Sequence, residues 1–278
     1  MRIAKAFSPA NISCIFKIYE HKNPRWMGSY GVGFTLDQGV IVEVKKAKKT
    51  GVIFNGTNIR FPTVKNVVDD LSDQNLEVSI KTKLPLGCGF GLSGASALAA
   101  SYAINDLLHL KKSKKQLAVI AHTAEVQNKT GLGDVVNQYY GGFCLKLEPS
   151  SHFSIKKIPI RNANVHCRYF GKLSTKSIIT DENLGGRINN SASDALDKIE
   201  KLLEKKKIAF SDIIKISKEF SQGSGLLRNK RVINQIKKIE QNGGNASMIM
   251  LGNAVFSDVK FEGSINFKIS NKRACLLQ

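Results

Sequence analysis

The stretch from Lys83 to Ala97 constrains this chain more than any other, because it crowds four glycines between a strand-like segment and a helical one. Glycine allows positive φ angles and lets a ligand approach the main chain closely. The first N–H groups of the helix that follows are free to bind an anion. We therefore expect residues 87–93 to form a phosphate-binding loop.

The context of this loop excludes two familiar phosphate motifs. Residues 89–94 match the G-x-G-x-x-G spacing of dinucleotide-binding folds, but that motif follows a strand that is apolar on both faces. Residues 76–84 instead alternate apolar and polar, which indicates one wet face. The ribose-binding carboxylate is also missing, since Asp106 falls within a helical pattern. No lysine precedes Ser93, so the P-loop of NTPases is excluded as well.

The formal net charge of +20 favours an anionic partner, either a nucleic acid or a small acidic substrate. The lysines form short clusters at residues 45–49, 111–115 and 205–207, without interleaved aromatic residues for base stacking. Dispersed lysines are typical of a solvated surface. We therefore expect no nucleic-acid partner, although a basic nucleic-acid-binding protein stays an alternative.

Length and composition favour a cytoplasmic globular protein. The chain has 278 residues, 42% of them hydrophobic, and no apolar run long enough to span a membrane. The N-terminus lacks the apolar core of a signal peptide. The five cysteines are scattered without a C-x-x-C pair, which excludes a zinc or dithiol motif. The thiol of Cys88, in the glycine turn, is either a space-filler or a group whose pKa is lowered by the helix N-terminus.

The order of periodic segments predicts an α+β fold with two domains, residues 1–150 and 151–278. Apolar residues recurring at helical or alternating spacing locate the elements. Helices are predicted at 64–71, 92–108, 114–126, 188–203, 213–220 and 232–239, with another beginning at Asp134. Strands are predicted at 3–7, 12–18 (after a turn at 8–11), 40–44, 76–84, 143–147, 153–158, 165–170, 254–256 and 265–267, with a hairpin at 52–61.

Three side chains complete the chemistry that a phosphate loop needs for phosphoryl transfer. Ser93 and Glu125 offer oxygen ligands for Mg²⁺, and Asp134 is a candidate to orient or deprotonate an acceptor hydroxyl. Each also has a structural interpretation: Ser93 and Asp134 as helix caps, and Glu125 as a surface residue or lysine partner. His122 either packs and orients Glu125 or contacts substrate.

The segment Pro85-Leu-Gly-Cys-Gly-Phe-Gly-Leu-Ser-Gly-Ala95 resembles the P-x-x-x-G-L-x-S-S-A loop of the GHMP kinases, which include galactokinase, homoserine kinase and mevalonate kinase. The resemblance covers essentially the whole chain. It implies an N-terminal domain like ribosomal protein S5 domain 2, an α+β C-terminal domain, ATP as co-substrate and Mg²⁺. It also implies Asp134 as the catalytic residue and Ser93 and Glu125 as metal ligands. The ATP-binding residues that it implies are Pro85, Gly87, Cys88, Gly89, Phe90, Gly91, Leu92, Ser93 and Gly94.

Within the family, residues 28–39, 122–125, 130–138 and 246–256 resemble archaeal members whose acceptor is pantoate. This resemblance implies phosphorylation of the pantoate hydroxyl for coenzyme A synthesis, with homoserine, shikimate and mevalonate as alternative acceptors. A homodimer is left open. The expected substrate-binding residues are Asn11, Ser29, His122 and Arg25, with Lys22, Arg161 and Arg187 as further candidates for binding a carboxylate. The glycines of 28–33 are expected to line the same pocket.

Overall fold

Two mainly antiparallel sheets form the scaffold, in a computed structural model that describes residues 2–173 and 175–278. The strands are β1 (Ile3–Tyr19), β2 (Gly28–Lys46), β3 (Gly51–Phe54), β4 (Thr57–Asn58), β5 (Leu76–Lys81), β6 (Phe143–Lys146), β7 (Lys156–Lys157), β8 (Asn164–Gly171), β9 (Ala246–Met248), β10 (Asn253–Ser257), β11 (Ile265–Lys268) and β12 (Cys275–Leu277). The helices are α1 (Pro62–Leu71), α2 (Leu92–Leu107), α3 (Lys114–Gln127), α4 (Asp134–Tyr140), α5 (Thr175–Ile179), α6 (Glu182–Glu204), α7 (Phe210–Gly223) and α8 (Lys230–Gln241).

The first sheet is built on β1 and β2, which run antiparallel along most of their length. Its order is β12-β1-β2-β5-β3-β4, with β6 also paired to β2 and β7 to β6. The turn predicted at residues 8–11 is wrong, because β1 continues through it. Register shifts between Pro9 and Asn11 and between Ser13 and Ile15 absorb the irregularity. Such bulges re-aim side chains, and here they flank Asn11 and Ser13, two residues of the candidate site.

Helices α1 to α4 pack on one side of this sheet. Helix α2 is buried on nearly every side, which its alanine, serine and glycine residues permit because small side chains allow close approach. Helix α3 begins with a capping box, in which Ser113 accepts from the Gln116 backbone N–H while the Gln116 side chain accepts from the Ser113 N–H. These helices match the predicted ones, and they hold the glycine loop and Asp134 at the same end of the sheet.

The second sheet has the order β11-β8-β10-β9, and helices α6 to α8 lie in the same half of the chain. The predicted boundary at residue 150 falls at a 3₁₀ helix, Ser150–His152. Residues on both sides of this boundary contribute to the first sheet, since β7 pairs with β6 and β12 with β1. The hydrophobic core is continuous between the two halves.

Several short elements differ from the sequence prediction. The strand predicted at 153–158 is confined to β7, and β9, β12 and α5 were not predicted. These elements are too short to show a periodic pattern of their own. In addition, β12 is fixed by pairing with β1, at the opposite end of the sequence. None of the described helices is both long enough and apolar enough to cross a membrane.

Candidate active site

A cleft of about 300 Å³ opens between the glycine loop and the C-terminal half of the chain. Its walls combine the loop, the N-terminal end of α1, the segment before α4, the turn between β9 and β10, and the start of α5. The residues that line it are Ser13, Phe61, Leu86, Gly87, Gly89, Phe90, Gly91, Leu92, Ser93, Asn128, Lys129, Thr130, Asp134, Leu173, Thr175, Lys176, Met250 and Leu251. The cleft therefore contains most of the predicted ATP-binding residues together with Asp134.

The glycine loop is held in place through its carbonyl groups. The Gly87 carbonyl accepts from the Leu173 N–H at 3.0 Å, the Phe90 carbonyl from the Asn11 N–H at 3.0 Å, and the Gly91 carbonyl from Gln138 Nε2 at 2.8 Å. Gly87, Gly89 and Gly91 all have positive φ, which favours glycine. Within the described residues, none of the N–H groups of 87–93 donates a hydrogen bond. The loop thus presents unpaired donors at the start of α2, as an anion site requires.

Three of the predicted ATP-binding residues lie apart from the cleft. Pro85 and Cys88 line a groove on the opposite side of the loop, beside Lys172. Burial raises the pKa of the Cys88 thiol, and the Lys172 charge only partly offsets this, so the structure favours the space-filling interpretation. Gly94 faces Glu125 instead: a Cβ added there would lie 2.6 Å from Glu125 Oε2.

Glu125 is a buried carboxylate with one oxygen unpaired. Its Oε1 is 3.5 Å from Thr130 Oγ1, whereas Oε2 has no hydrogen-bond partner among the described residues. Burial, and then the charge of Asp134, raise the pKa of Glu125 well above its usual value, although the Thr130 and Ser93 hydroxyls oppose this. An orphaned carboxylate oxygen beside a serine hydroxyl fits a hard divalent cation. The structure thus brings the two predicted metal ligands together.

The hydroxyl groups of Ser93, Thr63 and Thr130 form a row that leads to Glu125. Ser93 Oγ donates to Thr63 Oγ1 at 3.3 Å, and Thr63 Oγ1 lies 3.0 Å from Thr130 Oγ1. Neither threonine was predicted as a site residue. They add neutral oxygens around the carboxylate, the type of ligand that magnesium accepts alongside water.

Asp134 begins α4 and is fixed by two hydrogen bonds to the same oxygen. Asn11 Nδ2 donates to Asp134 Oδ1 at 2.7 Å and Ser13 Oγ donates to it at 3.0 Å. Neither bond uses Oδ2. Burial raises the pKa of Asp134, and the charge of Lys146 with the two hydrogen bonds opposes the increase. The carboxylate is therefore anchored through Oδ1, while Oδ2 is available at the edge of the cleft.

Lys146 is a site residue that sequence analysis missed. It is only 3% exposed, and its Nζ donates to the Gly133 carbonyl at 3.1 Å. A narrow recess, shared with the cleft through Ser13, Asp134 and Leu251, is lined by Lys146 and Ser29. Burial lowers the pKa of Lys146, and the charge of Asp134 opposes this. The sequence did carry one sign of this role, because Lys146 is a charged residue within the otherwise apolar strand predicted at 143–147.

The predicted substrate-binding residues have different environments. The Asn11 side chain is engaged with Asp134, and Ser29 lies in the recess, since a Cβ on Gly133 would be 2.5 Å from Ser29 Oγ and 2.6 Å from Lys146 Nζ. His122 Nε2 donates to the Met27 carbonyl at 2.9 Å. Burial lowers the pKa of His122 to about 4, which keeps the ring neutral.

The exposed cations predicted for a carboxylate do not reach the recess. Arg25 stacks on the Trp26 ring at 5.6 Å, and Lys22 lines a separate surface groove. Arg187 lies against Gly225, and Arg161 is exposed. The glycines of 28–33 lie within β2 and accommodate protein neighbours. A Cβ on Gly33 would be 2.6 Å from Asn137 Nδ2, for example.

Comparison with known proteins supports the resemblance drawn from the motifs. The model of the GHMP kinases N-terminal domain matches residues 58–142. A pantoate kinase of Methanocaldococcus jannaschii is 30% identical over 92% of this chain and 93% of its own. One of Methanospirillum hungatei is 29% identical over 91% of this chain and 86% of its own. A solved structure described as a phosphotransferase related to the CoA biosynthesis pathway has a TM-score of 0.84 and 25% identity, covering 99% of this chain and 98% of that one. The predicted α+β fold is confirmed.

Proposed function

This chain belongs to the GHMP kinase family, and we propose that it transfers the γ-phosphoryl group of ATP to the primary hydroxyl of pantoate, giving 4-phosphopantoate for coenzyme A synthesis. The relatives that match over nine tenths of the chain are pantoate kinases. One observation carries the proposal: a carboxylate with a free oxygen and a buried ammonium group line one recess next to the phosphate loop. A hydroxy acid needs the carboxylate as a base for its hydroxyl group and the ammonium group as a partner for its own carboxylate.

ATP lies in the cleft, with its phosphates on the N–H groups of 87–93 and the N-terminal end of α2. Phe61 and Leu86 give an apolar wall for the base, and Lys129 and Lys176 add positive charge at the rim. Ser93 and Glu125 would hold Mg²⁺, which neutralises charge on the transferring phosphoryl group when bound. Loop and helix dipoles are in place before the reaction, so little reorganisation is needed.

Pantoate lies in the cleft beside Asp134 and extends only its carboxylate toward the recess, whose volume of about 20 Å³ admits no larger group. Its carboxylate pairs with Lys146, with Ser29 Oγ beside it, and its hydroxyl donates to Asp134 Oδ2. This hydrogen bond directs the hydroxyl oxygen at the γ-phosphorus and offers a base for its proton. The oxygen forms the new P–O bond as the bond from the γ-phosphorus to the β–γ bridging oxygen breaks, and ADP leaves.

The test is ATP consumption by the purified protein with Mg²⁺ and one alcohol at a time: pantoate, mevalonate, homoserine or shikimate. We expect turnover with pantoate, and a phosphorylated product of the matching mass. Turnover with another of these alcohols, and none with pantoate, would contradict the acceptor but keep the reaction. RNA binding that is salt-sensitive, without ATP turnover on any alcohol, would favour the nucleic-acid alternative. The Asp134→Asn protein is the control for a contaminating kinase.

A further inference from the structure

Asn11 of β1 and two side chains one turn apart on α4, Asp134 and Asn137, form a row behind the acceptor hydroxyl. Asn137 Nδ2 donates to Asn11 Oδ1 at 2.9 Å, and Asn11 Nδ2 donates to Asp134 Oδ1 at 2.7 Å. Asn11 and Asn137 are fully buried, so the Asn137–Asn11 contact is shielded from water. Asn137 touches neither the cleft nor the recess, and the reaction described above does not use it.

The chemistry of the carboxylate dictates the direction of both hydrogen bonds. An ionised aspartate accepts hydrogen bonds and cannot donate, so Asn11 must face it with its amide nitrogen. The Asn11 carbonyl oxygen then points toward residue 137, which must supply a donor. The Asn137 amide does so. An aspartate at 137 would reverse the row, because it would attract the Asn11 nitrogen and turn the Asn11 oxygen toward Asp134.

Asparagine at position 137 carries a cost in folding stability. Its Oδ1 is buried and has no hydrogen-bond partner among the described residues. Its Nδ2 lies 2.6 Å from where a Cβ on Gly33 would be, and the Ile12 carbonyl oxygen lies 2.8 Å from the same point, so both require glycine there. Burial of an unsatisfied amide oxygen destabilises a fold, and an apolar residue of the same shape would remove that cost, but it would also leave the buried Asn11 oxygen without its donor. These two costs oppose each other, so stability alone does not account for this asparagine.

We propose that Asn137 is a positioning residue, which holds the Asn11 amide in the one orientation that anchors Asp134 Oδ1 and leaves Oδ2 for the acceptor. The effect on turnover rests on the proposed kinase function. The effect on the Asn11 amide does not. Asn137 acts through Asn11, and Asn11 through Asp134.

The first test uses Asn137→Leu, which keeps the shape and removes the donor. We expect kcat with the accepted alcohol to fall about 10-fold, as for loss of one good hydrogen bond. KM for ATP should change less than about twofold, because the phosphate loop bonds to the row through the Asn11 backbone N–H, which Asn137→Leu leaves in place. The thermal midpoint should change little, because the unpaired Asn137 oxygen is removed while the Asn11 oxygen loses its donor. A lowered midpoint with unchanged kcat would mean a purely structural role and overturn the proposal.

The second test is a double-mutant cycle with Asn11→Ala. If Asn137 acts only through Asn11, then Asn137→Leu introduced into the Asn11→Ala protein should lower kcat less than about twofold. If the losses in kcat of the two single variants multiply fully in the double variant, the proposal is overturned. The reversed variant, Asn137→Asp, should lower kcat at least as far as Asn137→Leu.

The last measurement needs no turnover. The side-chain amide of Asn11 gives a ¹H–¹⁵N resonance pair that is identified by its loss in Asn11→Ala. In Asn137→Leu we expect this pair to shift and its protons to exchange faster. An unchanged resonance pair overturns the proposal whichever alcohol the enzyme phosphorylates. A shifted pair, in a protein that phosphorylates none of the alcohols, would keep the positioning role and reject the kinase function.

Discussion

The two sides of the cleft are built in different ways. The phosphate side, the loop 87–93 with Glu125, presents backbone N–H groups from one contiguous stretch of sequence. The acceptor side, formed by Asp134 and Lys146 with Asn11 and Asn137 behind Asp134, consists of side chains whose contacts join residues 123 and 126 positions apart. A phosphate is the same in every nucleotide, so a local backbone cradle suffices. An acceptor must be selected, and this requires side chains converging from several elements.

Asp134 lies where the two sides meet, and its replacement gives the largest expected effect. Asp134→Asn keeps an oxygen for Asn11 and Ser13 but removes the negative charge and the base. We expect kcat to fall by about 10² to 10⁴, the range for loss of a general acid or base. ATP binding, measured by equilibrium titration, should stay within about twofold because the loop is untouched. Turnover at the parent rate would mean that the acceptor side does not activate the hydroxyl.

On the phosphate side, Glu125→Gln tests whether the orphaned oxygen belongs to a metal. Loss of a metal ligand should lower kcat/KM by on the order of 100-fold and raise the Mg²⁺ concentration needed for half-maximal rate. In metal-free buffer the same change should raise the free energy of unfolding, since a buried carboxylate without a partner is costly. Glu148→Gln, at an exposed carboxylate outside the cleft, is the matched control. A metal-free variant less stable than the parent would contradict this assignment.

The difference between the two sides also explains what could be predicted from sequence. The loop was found because glycines, helix start and strand lie next to each other in the chain. Helices α2 and α3 follow from their periodicity, and α4 follows from the glycines on either side of it. Lys146 and Asn137 were missed because their roles arise from pairing. β6 pairs with β2 opposite Gly31, and Asn137 meets Asn11 only through the fold. The bulges that aim Asn11 and Ser13 at Asp134 were instead interpreted as a turn at residues 8–11.

On the acceptor side, Lys146→Gln should weaken pantoate binding selectively. A charge-assisted hydrogen bond to a carboxylate contributes about 1.5–3 kcal/mol, so we expect KM for pantoate to rise about 10- to 100-fold. KM for ATP should change far less. Lys157→Gln is the control, because its Nζ donates to the Tyr140 carbonyl and not to the recess. If KM for both substrates rose equally in Lys146→Gln, the lysine would have a general role in the fold and not one in acceptor binding.

The smallest effect at neutral pH is expected behind the acceptor side, at His122. Its pKa falls from 6.5 to about 4 through burial, so protonation favours the unfolded chain. The stability that the neutral ring contributes is complete above pH 6.5 and is lost as the pH falls from 6.5 toward 4, by up to about 3 kcal/mol. His122→Gln retains a donor for the Met27 carbonyl but cannot take a proton. In thermal unfolding between pH 7 and pH 4, this variant should lose less stability than the parent, whereas His21→Gln, at an exposed residue, should follow the parent curve. Parallel curves for His122→Gln and the parent would mean that the pKa of His122 is the same in the folded and the unfolded chain, and that burial does not lower it.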